Sequence, residues 1–323
     1  MIKGKLIYIL NHYSEDAATH FYHILPLLRE MGSRGVQIAI IIEKCNAIPD
    51  LSDASNLSVY PQKRKQKWIR PFELMLLLTR LHKAGYTHIF IRISWVAAVV
   101  SIITSWFTRQ KTWFWLSGQG SFEHYNSVSP GLDKLRLFVS SRLPFWFIKT
   151  FVHRFVTGPE SLKDYMVKQG NVREDKIAVL YNDVQVARFT PMSQAAKEEA
   201  RLSNDIPQQA LVILFVHRFS PVRKTSFYLP YLFQHIAVEN NLKVHQPILF
   251  LMVGSGPEWA RIKEETSSLQ LPHEVRWMGD IPNKKIQAYY QIADLFINPT
   301  WAEGFPRVIL EAMASGIPIV TTD

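Results

Sequence analysis

The sequence predicts an α/β protein built from two doubly wound parallel-sheet domains facing a cleft, and three observations carry that expectation. Short, nearly continuous apolar runs (KLIYIL, VQIAIII, THIFIRI, TWFWL) alternate with helical patterns. Strands buried on both faces of a parallel sheet read this way. The rhythm breaks in the polar, turn-rich stretch KIAVLYNDVQVARFTPMSQ, then restarts at ALVILFV and continues through PILFLMVGSG, VRWMG, DLFINP and IPIVTTD. A length of 323 residues also suits two domains better than one. The expected division is 1–188 and 189–323. Because the second series stops directly after a strand, that domain is expected to be incomplete and the chain a fragment.

Each element has its own warrant. KLIYIL is the first strand, and His20 to Arg34 reads as a helix because Leu25, Leu28 and Met31 recur at three-residue spacing. The opening MIKGKLIYIL has too short an apolar run, and no cleavage-like segment after it, to read as a signal peptide. WVAAVVSIITSWF, Trp95 to Phe107, is the most membrane-like stretch. It falls short of the ~20 residues needed to span, so a buried helix is predicted. Phe151 to Thr157 is a further short strand, and PESLKDYMVKQG a helix closed by Gly170.

Composition narrows the partners. Thirty-seven Lys and Arg against twenty-seven Asp and Glu give a net charge of +10, which favours anionic partners: a phosphate-bearing small molecule, a lipid surface or a nucleic acid. No zinc-finger spacing or glycine-aromatic RNA-binding signature points to nucleic acid, so none is expected. Cys45 is the sole cysteine, which excludes intrachain disulfides and cysteine-clustered metal sites. Two basic, aromatic-rich stretches, Pro61 to Tyr86 and Lys134 to Phe155, read either as a membrane-facing amphipathic surface or as helices on a sheet with solvated basic faces.

Three stretches could do chemistry. In VHRFSPVRK, directly after ALVILFV, Arg218 and Lys224 could reach one phosphate-bearing ligand, the arginine through a planar fork and the lysine as a mobile point charge. Alternatively they are ordinary loop residues of a basic protein. MVGSGP places Gly254 and Gly256 in a turn after another strand, for tight packing or for close approach of backbone to a ligand. It is not a full dinucleotide fingerprint, since Trp259 stands where a third glycine belongs.

NPTWAEGFPRVILEAMASG then sets Glu303, Gly304 and Phe305 where the strand DLFINP hands over to a helix beginning near Pro306, with Gly316 suited to its C-terminal end. N–H groups at that helix start are available to phosphate oxygens. Glu311 could point towards the cleft and accept hydrogen bonds from both ribose hydroxyls, with Glu303 orienting a sugar hydroxyl. The alternative is a solvent-facing Glu311 paired with Arg307. No H-E-x-x-H, D-x-D or P-loop pattern occurs, so no tightly bound metal is expected.

Together these pieces resemble the retaining glycosyltransferases of family 4 (glycosyl transferases group 1), which have the two-domain Rossmann-like architecture called GT-B. Glu303 and Glu311 match that family's paired-glutamate motif, Arg218 and Lys224 its donor phosphate loop, VGSGPE its glycine turn, and YNDVQVARFTP its interdomain element. The resemblance covers essentially the whole chain, strongly from about Val156 onwards and more loosely before it. It implies that the first domain recognises the acceptor and the second a UDP- or GDP-sugar. Arg218 and Lys224 would bind the diphosphate, Gly304 and Phe305 would lie near the phosphates, Glu311 would hold the ribose and Glu303 the donor sugar. The base would lie near the MVGSGP loop, with Gly254 and Gly256, and the RWMGD loop. Gln119 and His124 fall near the place of an acceptor-side histidine. Departures are NHYSEDAAT in place of a glycine-paired first loop, and YNDVQ without its usual glycine. The implied setting is cell-envelope or surface glycan synthesis on a glycan or lipid-linked acceptor, in the cytoplasm, with possible peripheral contact at the inner face of the plasma membrane. A non-catalytic sugar-nucleotide or glycan-binding module of the same fold is the alternative.

Overall fold

A computed structural model describes residues 4–14, 23–64, 66, 68–117, 131–220, 225–243, 246–300 and 305–322. They form two compact units, and the chain passes from the first to the second between Asn182 and Asp183.

The first unit contains β1 (Lys5–Tyr13), β2 (Gln37–Cys45), β3 (Leu57–Pro61), β4 (His88–Arg92), β5 (Lys111–Trp115), β6 (Arg154–Thr157) and β7 (Ile177–Val179). All pair in parallel in the order β3-β2-β1-β4-β5-β6-β7. The winding therefore reverses between β1 and β4, as in doubly wound folds. Helix α1 (Ile24–Ser33) packs with Tyr8, Leu10, Ile38 and Ile40 on one face. On the other face, α2 (Arg70–Lys83) and α3 (Trp95–Thr108) cover Ile7, Ile9, Ile41, Ile91 and Phe114. Three further helices follow: α4 (Leu132–Leu137), α5 (Leu143–Phe151) and α6 (Glu160–Lys168), the first two joined by a π-helical turn, Phe138–Arg142. Strand β3 has no counterpart among the expected runs, because LSVYP is short and interrupted by a serine.

Two expectations need correction. The stretch from Trp95 to Phe107 is a helix but is not wholly buried. Small residues (Ala97, Ala98, Ser101, Ser105) turn towards the core, while Val96, Trp106 and Phe107 are exposed. Small side chains let the helix approach closely, so its large ones must face outward. Gly170 does not end α6 by a left-handed turn; that conformation falls to Asn171, φ 50°. Gly170 is needed for space, since a Cβ there would lie 2.6 Å from the Met166 carbonyl oxygen.

The second unit contains β8 (Leu211–Val216), β9 (Ile248–Val253), β10 (Glu274–Gly279), β11 (Leu295–Asn298) and β12 (Ile319–Thr321), again all parallel, in the order β10-β9-β8-β11-β12. Its helices are α7 (Gln194–Leu202), α8 (Thr225–Lys243), α9 (Trp259–Ser268), α10 (Ile286–Ile292) and α11 (Arg307–Ala314). The connecting segment from Asp183 is built into this unit. Arg188 donates to the Asn283 side-chain oxygen at 2.7 Å, and Phe189 is buried edge-on to Tyr290 with ring centroids 5.6 Å apart.

Candidate functional site

The second sheet reverses its winding between β8 and β11, and ligands in doubly wound sheets bind beyond the carboxyl ends of strands at such a point. Three of the stretches singled out in the sequence emerge from this edge: VHRFS from β8, VGSGP from β9, and the segment leading to α11 from β11.

After β8, His217 is buried and its Nδ1 lies 2.7 Å from the Arg218 carbonyl oxygen, so that nitrogen carries the proton and donates. Phe219 is buried edge-on to Trp259, 5.0 Å between centroids. Arg218 stands exposed between these two anchored neighbours. Lys224, Glu303 and Gly304, and the acceptor-side candidates Gln119 and His124, lie outside the described residues.

The glycines of MVGSGP are required by backbone-to-backbone packing. A Cβ on Gly254, φ +120°, would collide with the carbonyl oxygen of His217, and one on Gly256 with that of Phe219. The two loops are laced together by His217 N–H to Val253 O at 3.1 Å and Phe219 N–H to Ser255 O at 3.0 Å. The Gly254 N–H donates to Gly279 O at 2.8 Å, and the Ser255 hydroxyl to Asp280 Oδ2 at 2.6 Å. The glycine turn thus fixes the height of the Arg218 loop.

Helix α11 begins after Pro306 and ends at Gly316, which takes the left-handed φ of +71° and donates to Met313 O at 3.1 Å. Its apolar side, including Val308, Ile309 and Ala312, packs on the core. A solvent-facing Glu311 is overturned: the residue is 3% exposed, and the Tyr290 hydroxyl donates to its Oε2 at 2.9 Å. Arg307 reaches the Asp183 carboxylate at 3.1 Å and also bonds the Asp183 carbonyl, tying the helix start to the connecting segment. Phe305 is half-buried just before the helix.

Sequence reasoning missed two neighbours. Tyr290 sits in the run AYYQIADLF, where helical spacing reads it as plain core and nothing signals a hydroxyl aimed at a carboxylate. Asn298, the last residue of β11, is fully buried, and among the described residues neither atom of its amide has a hydrogen-bond partner. A polar residue ending the apolar run DLFIN was the available signal.

The first sheet has a comparable edge. Ile93, just beyond β4, has φ 67°, a costly conformation for a β-branched residue. Next to it, the Arg92 guanidinium lies 4.6 Å from the Trp115 ring centre. At the end of β2, burial pushes the Glu43 carboxyl up, against the lowering effects of the Ser94 hydroxyl, Arg70 and Lys44. Among the described residues, no cluster of three His, Cys, Asp or Glu could hold a metal ion.

Residues 196–323 match the family Glycosyl transferases group 1. The putative glycosyltransferase EpsF of Bacillus subtilis (strain 168) is 29% identical over 191 residues, 59% of this chain and 46% of that protein. A D-inositol 3-phosphate glycosyltransferase of Corynebacterium diphtheriae is 30% identical over 170 residues, 51% of this chain and 38% of its own length. The chain thus spans less than half the length of these curated relatives. Among solved structures, Anabaena Alr3699/HepE in complex with UDP and glucose superposes with a TM-score of 0.68 at 18% identity, covering 98% of this chain and 80% of that one. A glycosyltransferase from Rickettsia africae ESF-5 gives 0.70 at 17% identity, over 100% and 80% of the two chains. Residues 196–323 therefore carry a Glycosyl transferases group 1 domain, and the chain has the two-unit, parallel-sheet GT-B fold.

Proposed function

We propose that this chain belongs to a retaining glycosyltransferase of family 4 that moves a sugar from a nucleotide-sugar onto an acceptor hydroxyl, in cell-envelope or surface glycan synthesis on the cytoplasmic side. The observation that carries this reading is convergence: the Arg218 loop, the glycine turn and α11 all leave the carboxyl edge of one sheet, around its reversal point, within the region that matches the family. HepE, of the same fold, binds UDP and UDP-glucose in its solved complexes, which supports a UDP-sugar as donor.

In this reading the second unit holds the donor and the first recognises a glycan or lipid-linked acceptor. Arg218 and Lys224 neutralise the diphosphate, and the N–H groups around Gly304 and Phe305 add to them at the start of α11. Glu311 accepts from the ribose hydroxyls, with Tyr290 fixing its carboxylate, and Glu303 orients the transferred sugar. The base lies by the Gly254–Gly256 turn. The chemistry asks most of the cations, because negative charge grows on the departing diphosphate in the transition state. The acceptor oxygen attacks the face that the diphosphate leaves, and a leaving phosphate oxygen takes the acceptor proton, so no protein nucleophile is required.

The test is a donor screen with the product's anomeric configuration read by NMR. Transfer with retention is expected, and an inverted product would overturn the mechanism. Arg218→Ala and Lys224→Ala are each expected to lower turnover at least about a hundredfold with the circular dichroism spectrum unchanged. Near-normal turnover in either would remove that residue from the site. Donor binding without transfer or hydrolysis would instead indicate the non-catalytic module.

A further inference from the structure

In the first sheet the strand order reverses between β1 and β4, and doubly wound sheets take ligands beyond their carboxyl ends at such a point. The backbone is strained there. Ile93, directly after β4, is held at φ 67°, and strain of this kind clusters at binding sites. The Ile93 N–H donates to the Trp115 carbonyl at 3.2 Å, and the Ser94 N–H to the Arg92 carbonyl at 2.8 Å. The turn so fixed starts α3, for the Ser94 hydroxyl oxygen accepts the Ala97 N–H at 3.4 Å. The same hydroxyl bonds the Glu43 carboxyl on β2, across the end of the intervening β1.

Opposite charges meet at this edge without satisfying one another. Among the described residues, Glu43 Oε2 and the Nε and Nη2 atoms of Arg70 are buried and make no hydrogen bond. The two side chains still sense each other. Burial pushes the Glu43 carboxyl up, and the Ser94 hydroxyl, the Arg70 charge and Lys44 oppose it. Arg70 opens α2, and its backbone is tied down, since the Gln62 side-chain amide donates to its carbonyl at 2.8 Å. A buried donor or acceptor left unpaired is costly, and three such atoms at a sheet's reversal point indicate a ligand group.

We infer that Glu43 and Arg70 bind two neighbouring hydroxyls of an uncharged sugar. This assignment rests on the acceptor role proposed for the first unit and adds the acceptor's chemistry. An ionised carboxylate only accepts and a guanidinium only donates, so the occupant must donate to one and accept from the other. A hydroxyl does both. A phosphate or carboxylate would answer Arg70 but set its own charge against Glu43, and an amine would answer Glu43 but be repelled by Arg70. Nε and Nη2 form one side of the guanidinium fork, spaced for two oxygens. That spacing suits adjacent hydroxyls, one of which also donates to Glu43 Oε2.

Saturation-transfer NMR tests this without any nucleotide-sugar, using the methyl glycosides of glucose, galactose, mannose and N-acetylglucosamine beside glucuronate and a glucose phosphate. At least one neutral glycoside is expected to bind, and a monodeoxy analogue of it at least about tenfold more weakly. The two anionic sugars are expected to bind no more tightly than the glucose glycoside. Glu43→Gln and Arg70→Met are each expected to weaken the bound glycoside at least about tenfold, with nucleotide-sugar affinity unchanged. The double variant is expected to keep its thermal unfolding midpoint, because glutamine still accepts from Ser94 and the lost atoms have no partners. Four outcomes overturn the assignment: no neutral glycoside binds, the anionic sugars bind more tightly, Glu43→Gln binds undiminished, or the double variant unfolds at a clearly lower temperature, which would make the pair structural. The transferase reading fails separately. Glycoside binding lost in Glu43→Gln, in a chain that transfers no sugar, leaves this site standing. Transfer with an acceptor KM unmoved by Glu43→Gln removes the site and leaves the transferase.

Discussion

At position 311 a carboxylate is held 3% exposed, with the Tyr290 hydroxyl donating to Oε2, on the helix that follows the sheet's reversal point. Removing the donor should be felt in stability. Tyr290→Phe is expected to lower the unfolding free energy by about 1–2 kcal/mol, read by urea denaturation, and, if Glu311 holds the ribose as proposed, to weaken nucleotide-sugar binding by releasing the carboxylate. Asn298 behaves oppositely, since its buried amide makes no hydrogen bond among the described residues. Asn298→Leu is expected to leave stability unchanged or raise it by about 1 kcal/mol; a large loss in the same assay would show that the amide has a partner. Gly254 tolerates nothing larger: its positive φ and the collision with the His217 carbonyl both forbid a Cβ. Gly254→Ala is expected to cost on the order of 3 kcal/mol.

Among the elements, α7 is secured in a way that predicts a pH response. Asp294 receives Lys197 at 2.7 Å and Arg201 at 2.6 Å, and accepts the Val212 N–H at 2.8 Å, so one carboxylate ties α7 to β8 and β11. Burial pushes this carboxyl up, but the bonds from Lys197, the Val212 N–H and Arg201 outweigh it and hold the group below its ordinary value. A lowered carboxyl stabilises the fold above its unfolded pKa and loses that contribution as pH falls through the folded one. The contribution is therefore full at neutral pH and declines below about pH 4. Asp294→Ala strands the buried guanidinium of Arg201 and is expected to cost about 3 kcal/mol at neutral pH. Its stability should also depend less steeply on pH in the acid range, measured by urea denaturation across a pH series.

At the scale of the molecule, each unit has its own sheet and its own cores on both faces of it. Calorimetry is therefore expected to resolve a transition belonging to the second unit, lowered by Gly254→Ala and, on the proposed function, raised by a nucleoside diphosphate. At about a hundred times its dissociation constant, that ligand adds about 2.7 kcal/mol. A ligand shift confined to the other transition would move the donor site out of residues 183–323.

The sequence by itself determined the fold class, because strands buried on both faces leave uninterrupted apolar runs and two series of such runs imply two sheets. It also marked Gly316 as the end of α11, since a helix closing through a left-handed residue favours glycine. The position of β3 was not legible, nor was the outward face of α3: an entirely uncharged run does not say which of its sides the sheet will cover. The state of Glu311 was decided by tertiary structure alone. Whether it faces solvent or the interior depends on Tyr290, twenty-one positions earlier, and no local pattern records where that hydroxyl points. The glycines of MVGSGP follow the same rule, for the carbonyls that exclude a side chain there belong to His217 and Phe219, on a neighbouring strand's loop.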